Sequence, residues 1–250
     1  MAKKFKAVIQ DSELLKDSIN AVSNLLNEGV FRVTKNGMEL TSMDSANVAM
    51  VDMKILSSAF SEFTVEEDVG IGVNIVEFTN ILKRAKATDT ITLELEDNTL
   101  HISFAGGFNR AFKVPLLDLK HEAKTPNLEF PVDVQIRSVI LEDGISDAEL
   151  ISDAVTLEAD PDNFIMRTEG DSRKAELKLE KGNDALVGLN AKDHVKSTFP
   201  LDYLRKMSKA AKLADSVTIK LGNDYPMRMD FTVVDKVQLG FVLAPRIESE

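Results

Sequence analysis

"VEFTNILKRAKATDTITLEL" (76–95) and "LDYLRKMSKAAKLADSVTIKL" (201–221) are two copies of one pattern. Each reads as a helix of about a dozen residues, then an aspartate, Asp89 or Asp215, then the β-branched alternation of a strand. Phe78 aligns with Tyr203, Leu82 with Met207 and Arg84 with Lys209, and a one-residue slip brings the aspartates together. At about 100° per residue, Tyr203, Leu204, Met207, Ala210, Ala211 and Ala214 share one arc, while Arg205, Lys209 and Lys212 gather opposite. In the first copy Phe78, Ile81, Leu82 and Ala85 face inward, Lys83 and Lys86 face away, and Arg84 flanks them. Asn74 followed by Glu77 three residues on forms a capping box, and Pro200 suits the first turn of its helix.

The repeat extends in both directions. "SELLKDSINAVSNLL" leads into "VFRVTKNGMELTSM", and "VQIRSVILEDGISD" leads into "AVTLEADPDNFIMRT". Each is an amphipathic helix followed by two strands about a tight turn, marked by Asn36-Gly37 in one half and by "DPDN" in the other. The fold class is therefore α+β, with two similar domains of helix-plus-sheet units. Strand alternation stops in "VPLLDLKHEAKTPNLEFP" (114–131). This divides the chain into an N-terminal domain (1–117), a linker (118–130) that crosses the surface, and a C-terminal domain (131–250).

The 250 residues carry 30 Lys and Arg against 41 Asp and Glu, a net charge of −11, and no cysteine. A disulfide framework and a Cys-ligated zinc site are excluded. No apolar run reaches the 18 residues of a membrane span, and the N-terminus has no signal-peptide core. Cationic stripes that recur at matching places in an acidic chain concentrate positive potential on one surface, as a polyanion requires. A solitary lysine stripe would read only as a solvated helix face.

No catalytic constellation is present. His101, His121 and His194 fall in a strand, the linker and a loop, without metal-ligand spacing. "GIGVNI" at Gly70 has Ile75 where a dinucleotide fingerprint needs its last glycine. "DPDNFI" at Asp160 has Ile165 where a calcium loop needs glycine, and Asp171 where it needs glutamate. Neither a phosphate loop nor a nucleophile elbow occurs. Two charged strands, 108–116 and 172–180, read as sheet edges; in the latter Ala175, Leu177 and Leu179 alternate with Lys174, Glu176, Lys178 and Glu180.

With "LTSMDSANVAMVDM" (40–53), "GVNIVEFTNILKRA" (72–85), "TITLELEDN" (90–98) and "VQLGFVLAPRIESE" (237–250), the chain resembles, over its whole length, the proliferating cell nuclear antigen (PCNA) family of DNA sliding clamps, in its archaeal form. The resemblance implies the DNA-clamp fold: a homotrimeric ring, sheets outside and helices lining a hole for duplex DNA. It implies a non-catalytic processivity factor without a cofactor or metal, binding double-stranded DNA independently of sequence. Lys16, Lys83, Arg84, Lys86 and Arg137 would face DNA, as would Arg205, Lys206, Lys209 and Lys212. The first helix departs from the family by carrying Glu13 and Asp17. Subunits would join head to tail, Arg110, Phe112 and Lys113 of one against Lys174, Ala175, Leu177, Lys178 and Leu179 of the next.

A pocket for short partner peptides would be walled by Met43, Val48, Met50 and Tyr203, with Pro226, Val242, Ala244 and Pro245. The linker departs from the family at Ala123 and Thr125, which implies that its contribution to the pocket is weaker or moves to Leu128. The partners implied are DNA polymerase, flap endonuclease, DNA ligase and an ATP-driven clamp loader, with no membrane. The setting implied is the archaeal cytoplasm beside the nucleoid, or the nucleus in a eukaryote. A subunit of a heterotrimeric or checkpoint-type clamp is the alternative.

Overall fold

The structure, a computed structural model, describes residues 5–119 and 126–246; the positions of His121, Ala123 and Thr125 lie outside the described residues. The first half runs β1 (Phe5–Ile9), α1 (Ser12–Ser23), β2 (Glu28–Thr34), β3 (Gly37–Met43), β4 (Ala49–Leu56), β5 (Glu62–Val65), β6 (Val69–Asn74), α2 (Ile75–Leu82), β7 (Thr90–Glu96), β8 (Thr99–Ala105) and β9 (Arg110–Pro115). The second repeats that order as β10 (Val132–Arg137), α3 (Ser138–Glu149), β11 (Ala154–Ala159), β12 (Asn163–Glu169), β13 (Lys174–Glu180), β14 (Leu186–Asn190), β15 (Val195–Pro200), α4 (Leu201–Met207), β16 (Ser216–Leu221), β17 (Met227–Val233) and β18 (Val237–Leu243).

The chain divides into two compact units. The first holds residues 1–45, 51–125 and 232–239, and the second 46–50, 126–231 and 240–250. In the first, β5-β1-β7-β8-β9 form one sheet and β6-β2-β3-β4 stand side by side; α1 packs on α2. In the second, β14-β10-β16-β17-β18 repeat the first arrangement, β15-β11-β12-β13 repeat the other, and α3 packs on α4. β4 and β18 are neighbours in strand order, and the division follows that pair: 51–56 and 237–239 go with the first unit, 49–50 and 240–243 with the second.

Period-two patterning builds these sheets. Ile91, Leu93 and Leu95 of β7 and Leu100, Ile102 and Phe104 of β8 are buried on one face while the residues between them reach solvent. α1 starts where the Asp11 side chain accepts a hydrogen bond from Leu14 N (3.2 Å), and it buries Leu15, Ile19 and Val22. The core repeats with the chain: Phe104 meets Phe112 with ring centroids 5.5 Å apart, and Phe231 meets Phe241 at 6.2 Å.

Three expectations need correction. The helices are shorter than a dozen residues: α2 has 8, and α4 has 7 before tightening into a 3₁₀ turn at Ser208–Lys212. Lys83, Arg84 and Lys86 thus lie in turns beyond α2, where Asp89 accepts from Lys86 N (2.9 Å). The one-residue slip also disappears. Asn74 and Pro200 end their strands, so the helices begin at Ile75 and Leu201, and the spacing from 75 to 201 also carries Asp89 to Asp215. Phe78 therefore matches buried Leu204, and Tyr203 is half-exposed, because strand ends rather than aromatic likeness set the frame. Pro200 itself is the residue preceding α4, outside its first turn.

The Asn36-Gly37 hairpin forms as expected, with Thr34 opposite Gly37. Gly37 has φ +142°, and a Cβ there would lie 2.1 Å from the Ile55 carbonyl oxygen. Gly37→Ala combines backbone strain with that clash. The expected loss is about 1–3 kcal/mol of unfolding free energy, read from a urea titration; an unchanged midpoint would contradict the stated conformation.

Candidate functional site

Within the first unit, the cationic surface is built on the end of α2. The Asn74 side chain accepts from Glu77 N (2.8 Å) and starts the helix, as the capping box requires. The chain then turns tightly, with Arg84 N donating to Ile81 O and Ala85 N to Leu82 O, each at 2.9 Å. Ser12 Oγ donates to Lys86 O (3.0 Å) and ties the turn to α1. Lys83, Arg84 and Lys86 all reach solvent from this scaffold.

Lys16 does not join them. Its side chain is only 14 % exposed, and its ammonium donates to Ala85 O (3.1 Å) and pairs with Glu13. The expected DNA-facing lysine is thus a brace beneath the turn.

Arg110, expected at the subunit contact, begins the edge strand β9. Its guanidinium turns back to pair with Asp89, whose side chain is 2 % exposed, and Nη1 donates to Arg84 O (2.6 Å). It also lies 5.1 Å from the ring centroids of both Phe104 and Phe108. A buried carboxylate is tolerable when paired and hydrogen-bonded, and Asp89 has both Arg110 and Lys86 N.

Within the second unit, Arg205, Lys209 and Lys212 are exposed on α4 and its 3₁₀ continuation. Lys206 lies over the Tyr203 ring, 5.0 Å from its centroid, and Arg205 Nε pairs with Glu149 (3.1 Å). Arg137 stands exposed just before α3, its Nε donating to Asp184 O (3.1 Å). α3 itself has Glu142, Asp143, Asp147 and Glu149 and no lysine or arginine, so it adds no basic face.

The expected peptide-pocket residues divide. Met43, in the first unit, is 38 % exposed at the end of β3. In the second unit, Val48 and Ala244 are brought together by Ala244 N donating to Val48 O (3.0 Å), and Pro226 and Pro245 are half-exposed. Val242 is 9 % exposed and Met50 only 3 %, so Met50 is core and no free wall. Arg246 secures the segment beyond: its N–H donates to Thr198 O (2.7 Å) and its guanidinium pairs with Asp153 (2.7 Å), holding that carboxyl below its ordinary range. Sequence reading missed Phe130 and Tyr225, whose rings meet edge to face at 5.8 Å beside Pro226. The signal was available, since Tyr203 and Tyr225 are the chain's two tyrosines.

β9 and β13 each end a sheet. On β9, Phe112 leans inward on Phe104 while Ala111 and Lys113 are exposed. On β13, Ala175 and Leu177 are half-exposed and Leu179 is buried. Lys174 pairs with Glu169 and Lys178 with Glu180, each at 2.8 Å, which lowers both carboxyls. These lysines are therefore engaged along their own sheet. Among the described residues no group of three or more His, Cys, Asp or Glu is gathered to hold a metal ion.

Arg110→Ala would strand the Asp89 carboxylate in the core and release Arg84 O. Removing one partner of a buried pair costs about 3–5 kcal/mol. Chemical denaturation should register that loss, whereas a change under about 1 kcal/mol would mean the pair behaves as a surface contact.

Residues 4–123 match the family model for the proliferating cell nuclear antigen N-terminal domain, and residues 124–246 match the one for its C-terminal domain. The chain is 37 % identical over 246 residues to a DNA polymerase sliding clamp of Thermococcus fumicolans and to another of Pyrococcus furiosus; each alignment covers 98 % of this chain and 99 % of the relative. Among solved structures, a crystal structure of PCNA from Thermococcus kodakaraensis superposes with a TM-score of 0.92 at 28 % identity, covering 97 % of this chain and all of that one.

Proposed function

The chain belongs to the proliferating cell nuclear antigen family, and from that premise we infer that it is a DNA polymerase sliding clamp. The match of both family domains, end to end and in order, carries the inference. Its fold is the clamp fold of that family. A clamp raises processivity by holding the polymerase near its template, so a modest contact gains from a high effective concentration.

We propose further that three copies close head to tail into a ring around duplex DNA. The internal repeat supports this. β9 matches β18 and β13 matches β4, yet β18 and β4 are neighbours while β9 and β13 are edges. In the paired strands Leu56 N donates to Lys236 O (2.8 Å) and Ala244 N to Val48 O (3.0 Å), which fixes one antiparallel register at both ends. Two internal matches transfer that register. The Phe104–Phe112 pair repeats as Phe231–Phe241, placing Phe112 at Phe241. The Thr41–Asp52 contact repeats as Arg167–Glu176, placing Glu176 at Asp52. Phe112 of one copy then faces Ala175 of the next, and Ala111 faces Glu176 in a hydrogen-bonded pair.

Such a pair has Cα atoms about 5.5 Å apart, within disulfide range, and the natural chain has no cysteine to interfere. Ala111→Cys with Glu176→Cys should oxidise to a covalent trimer on a denaturing gel. Moving the second cysteine two residues, to Lys178, should nearly abolish it. Equal crosslinking in both, or none in either, would reject this register.

The exposed cations of the two units, Lys83, Arg84 and Lys86 with Arg205, Lys209 and Lys212, fit the phosphate-facing surface, and contacts to phosphate hold without reading bases. We assign the residues around Val48, Ala244 and Pro245 to partner peptides, among them those of flap endonuclease, ligase and clamp loader, with domains at 1–117 and 131–250 joined by 118–130. Glu replacements at Lys83, Arg84, Lys209 and Lys212 together should impair loading and processivity and flatten the salt dependence of DNA association, with trimer mass retained. Full processivity in that variant would take the phosphate surface elsewhere.

A further inference from the structure

Phe108 lies in the turn between β8 and β9, outside β9 itself, which begins at Arg110. It is 58 % exposed, the most exposed aromatic ring among the described residues. The turn is pressed against the basic turn after α2: a Cβ on Gly106 would strike the Asp89 carboxylate, the same group that accepts from Lys86 N. Lys86 Nζ lies 5.2 Å from the centroid of the Phe108 ring. On the protein side, the guanidinium carbon of Arg110 stands 5.1 Å from the centroids of Phe108 and of buried Phe104. Arg110 is itself held by Asp89 and by Arg84 O (2.6 Å). The ring is thus backed by a fixed cation and flanked by an exposed one.

An aromatic plate beside a phosphate-facing ammonium matches the two halves of a nucleotide: a flat base to stack and a phosphate to neutralise. In a duplex the faces of each base are covered by its neighbours in the stack, and a protein surface reaches only backbone and base edges. An unpaired base has a free face. We propose that Phe108 and Lys86 form a subsite for one nucleotide of single-stranded DNA, the ring stacking on the base and the ammonium taking the phosphate. The proposal rests on the phosphate-facing assignment of Lys86 above, and adds to it a contact for the unpaired strand that adjoins a primer end. Stacking on a phenyl ring tolerates every base, as a surface that moves along DNA requires.

The chain has no tryptophan, so Phe108→Trp places a single fluorescent reporter at the site. On the full chain, a short oligothymidylate should quench that emission, and a blunt duplex of the same length should leave it nearly unchanged. Anisotropy of the labelled oligothymidylate should show Phe108→Trp binding at least as tightly as the parent. Phe108→Ala and Phe108→Leu should each bind about fivefold or more weakly. The leucine variant keeps an apolar side chain and removes only the stacking face. Equal affinity in the parent and Phe108→Ala, or quenching as strong with duplex as with oligothymidylate, would overturn the proposal. A reporter that oligothymidylate does not quench, with trimer mass lost in Phe108→Ala, would overturn it and give the ring to a protein surface. The clamp reading fails separately. If Phe108→Ala binds oligothymidylate like the parent and still supports full polymerase processivity, the subsite alone is rejected. A parent chain that confers no processivity rejects the clamp reading, whatever the reporter shows.

Discussion

A strand at the end of a sheet has a row of N–H and C=O groups that must find partners. β4 and β18 meet that demand within the chain, and their counterparts β13 and β9 do not. Everything proposed for assembly follows from this asymmetry between two otherwise equivalent halves. The open edges are also guarded. Lys174, Glu176, Lys178 and Glu180 alternate along the solvent face of β13, with Lys174 bound to Glu169 and Lys178 to Glu180. A foreign strand would have to accommodate that charge, whereas β9 brings exposed Ala111 and one cation, Lys113, to the same row. The apolar side of each edge, Phe112 and Ala175, supplies the burial that backbone pairing alone would lack.

The second constraint is charge segregation. A chain of net charge −11 would be repelled by DNA if its acids and bases were mixed evenly. Instead Lys83, Arg84 and Lys86 of the first unit gather in the turns after α2, and Arg205, Lys206, Lys209 and Lys212 of the second gather on α4 and its 3₁₀ continuation. Asp89 shows how such a surface is held. One buried carboxylate closes the basic turn through Lys86 N and binds Arg110, which in turn binds Arg84 O. Lys16 spends its charge on Ala85 O from below. Two expected ligands of phosphate or partner are therefore internal supports, and the residues they support, Arg84 and Lys86, reach solvent.

Much of the fold was legible in the sequence because it is written twice. The alternation in 90–95, the Asn36-Gly37 turn and the Asn74 cap each match their structural elements. What misled was alignment by aromatic likeness: Phe78 and Tyr203 look equivalent, but the strand ends at Asn74 and Pro200 make Leu204 the match. Site residues were less legible, since sequence gives the charge of Lys16 and Arg110 but not the buried acceptor each turns toward. Met50 sits amid the peptide-pocket pattern yet points into the core. The edge strand read as 108–116 begins only at Arg110, because residues 106–109 form the β8–β9 turn and leave Phe108 in solvent.

The ring itself is most directly tested by mass in solution, by light scattering on a sizing column over a wide concentration range. Three chains of 27.6 kDa predict a species of about 83 kDa that persists on dilution through the micromolar range. A mass that stays at 27.6 kDa at every concentration would contradict closure of this chain on itself.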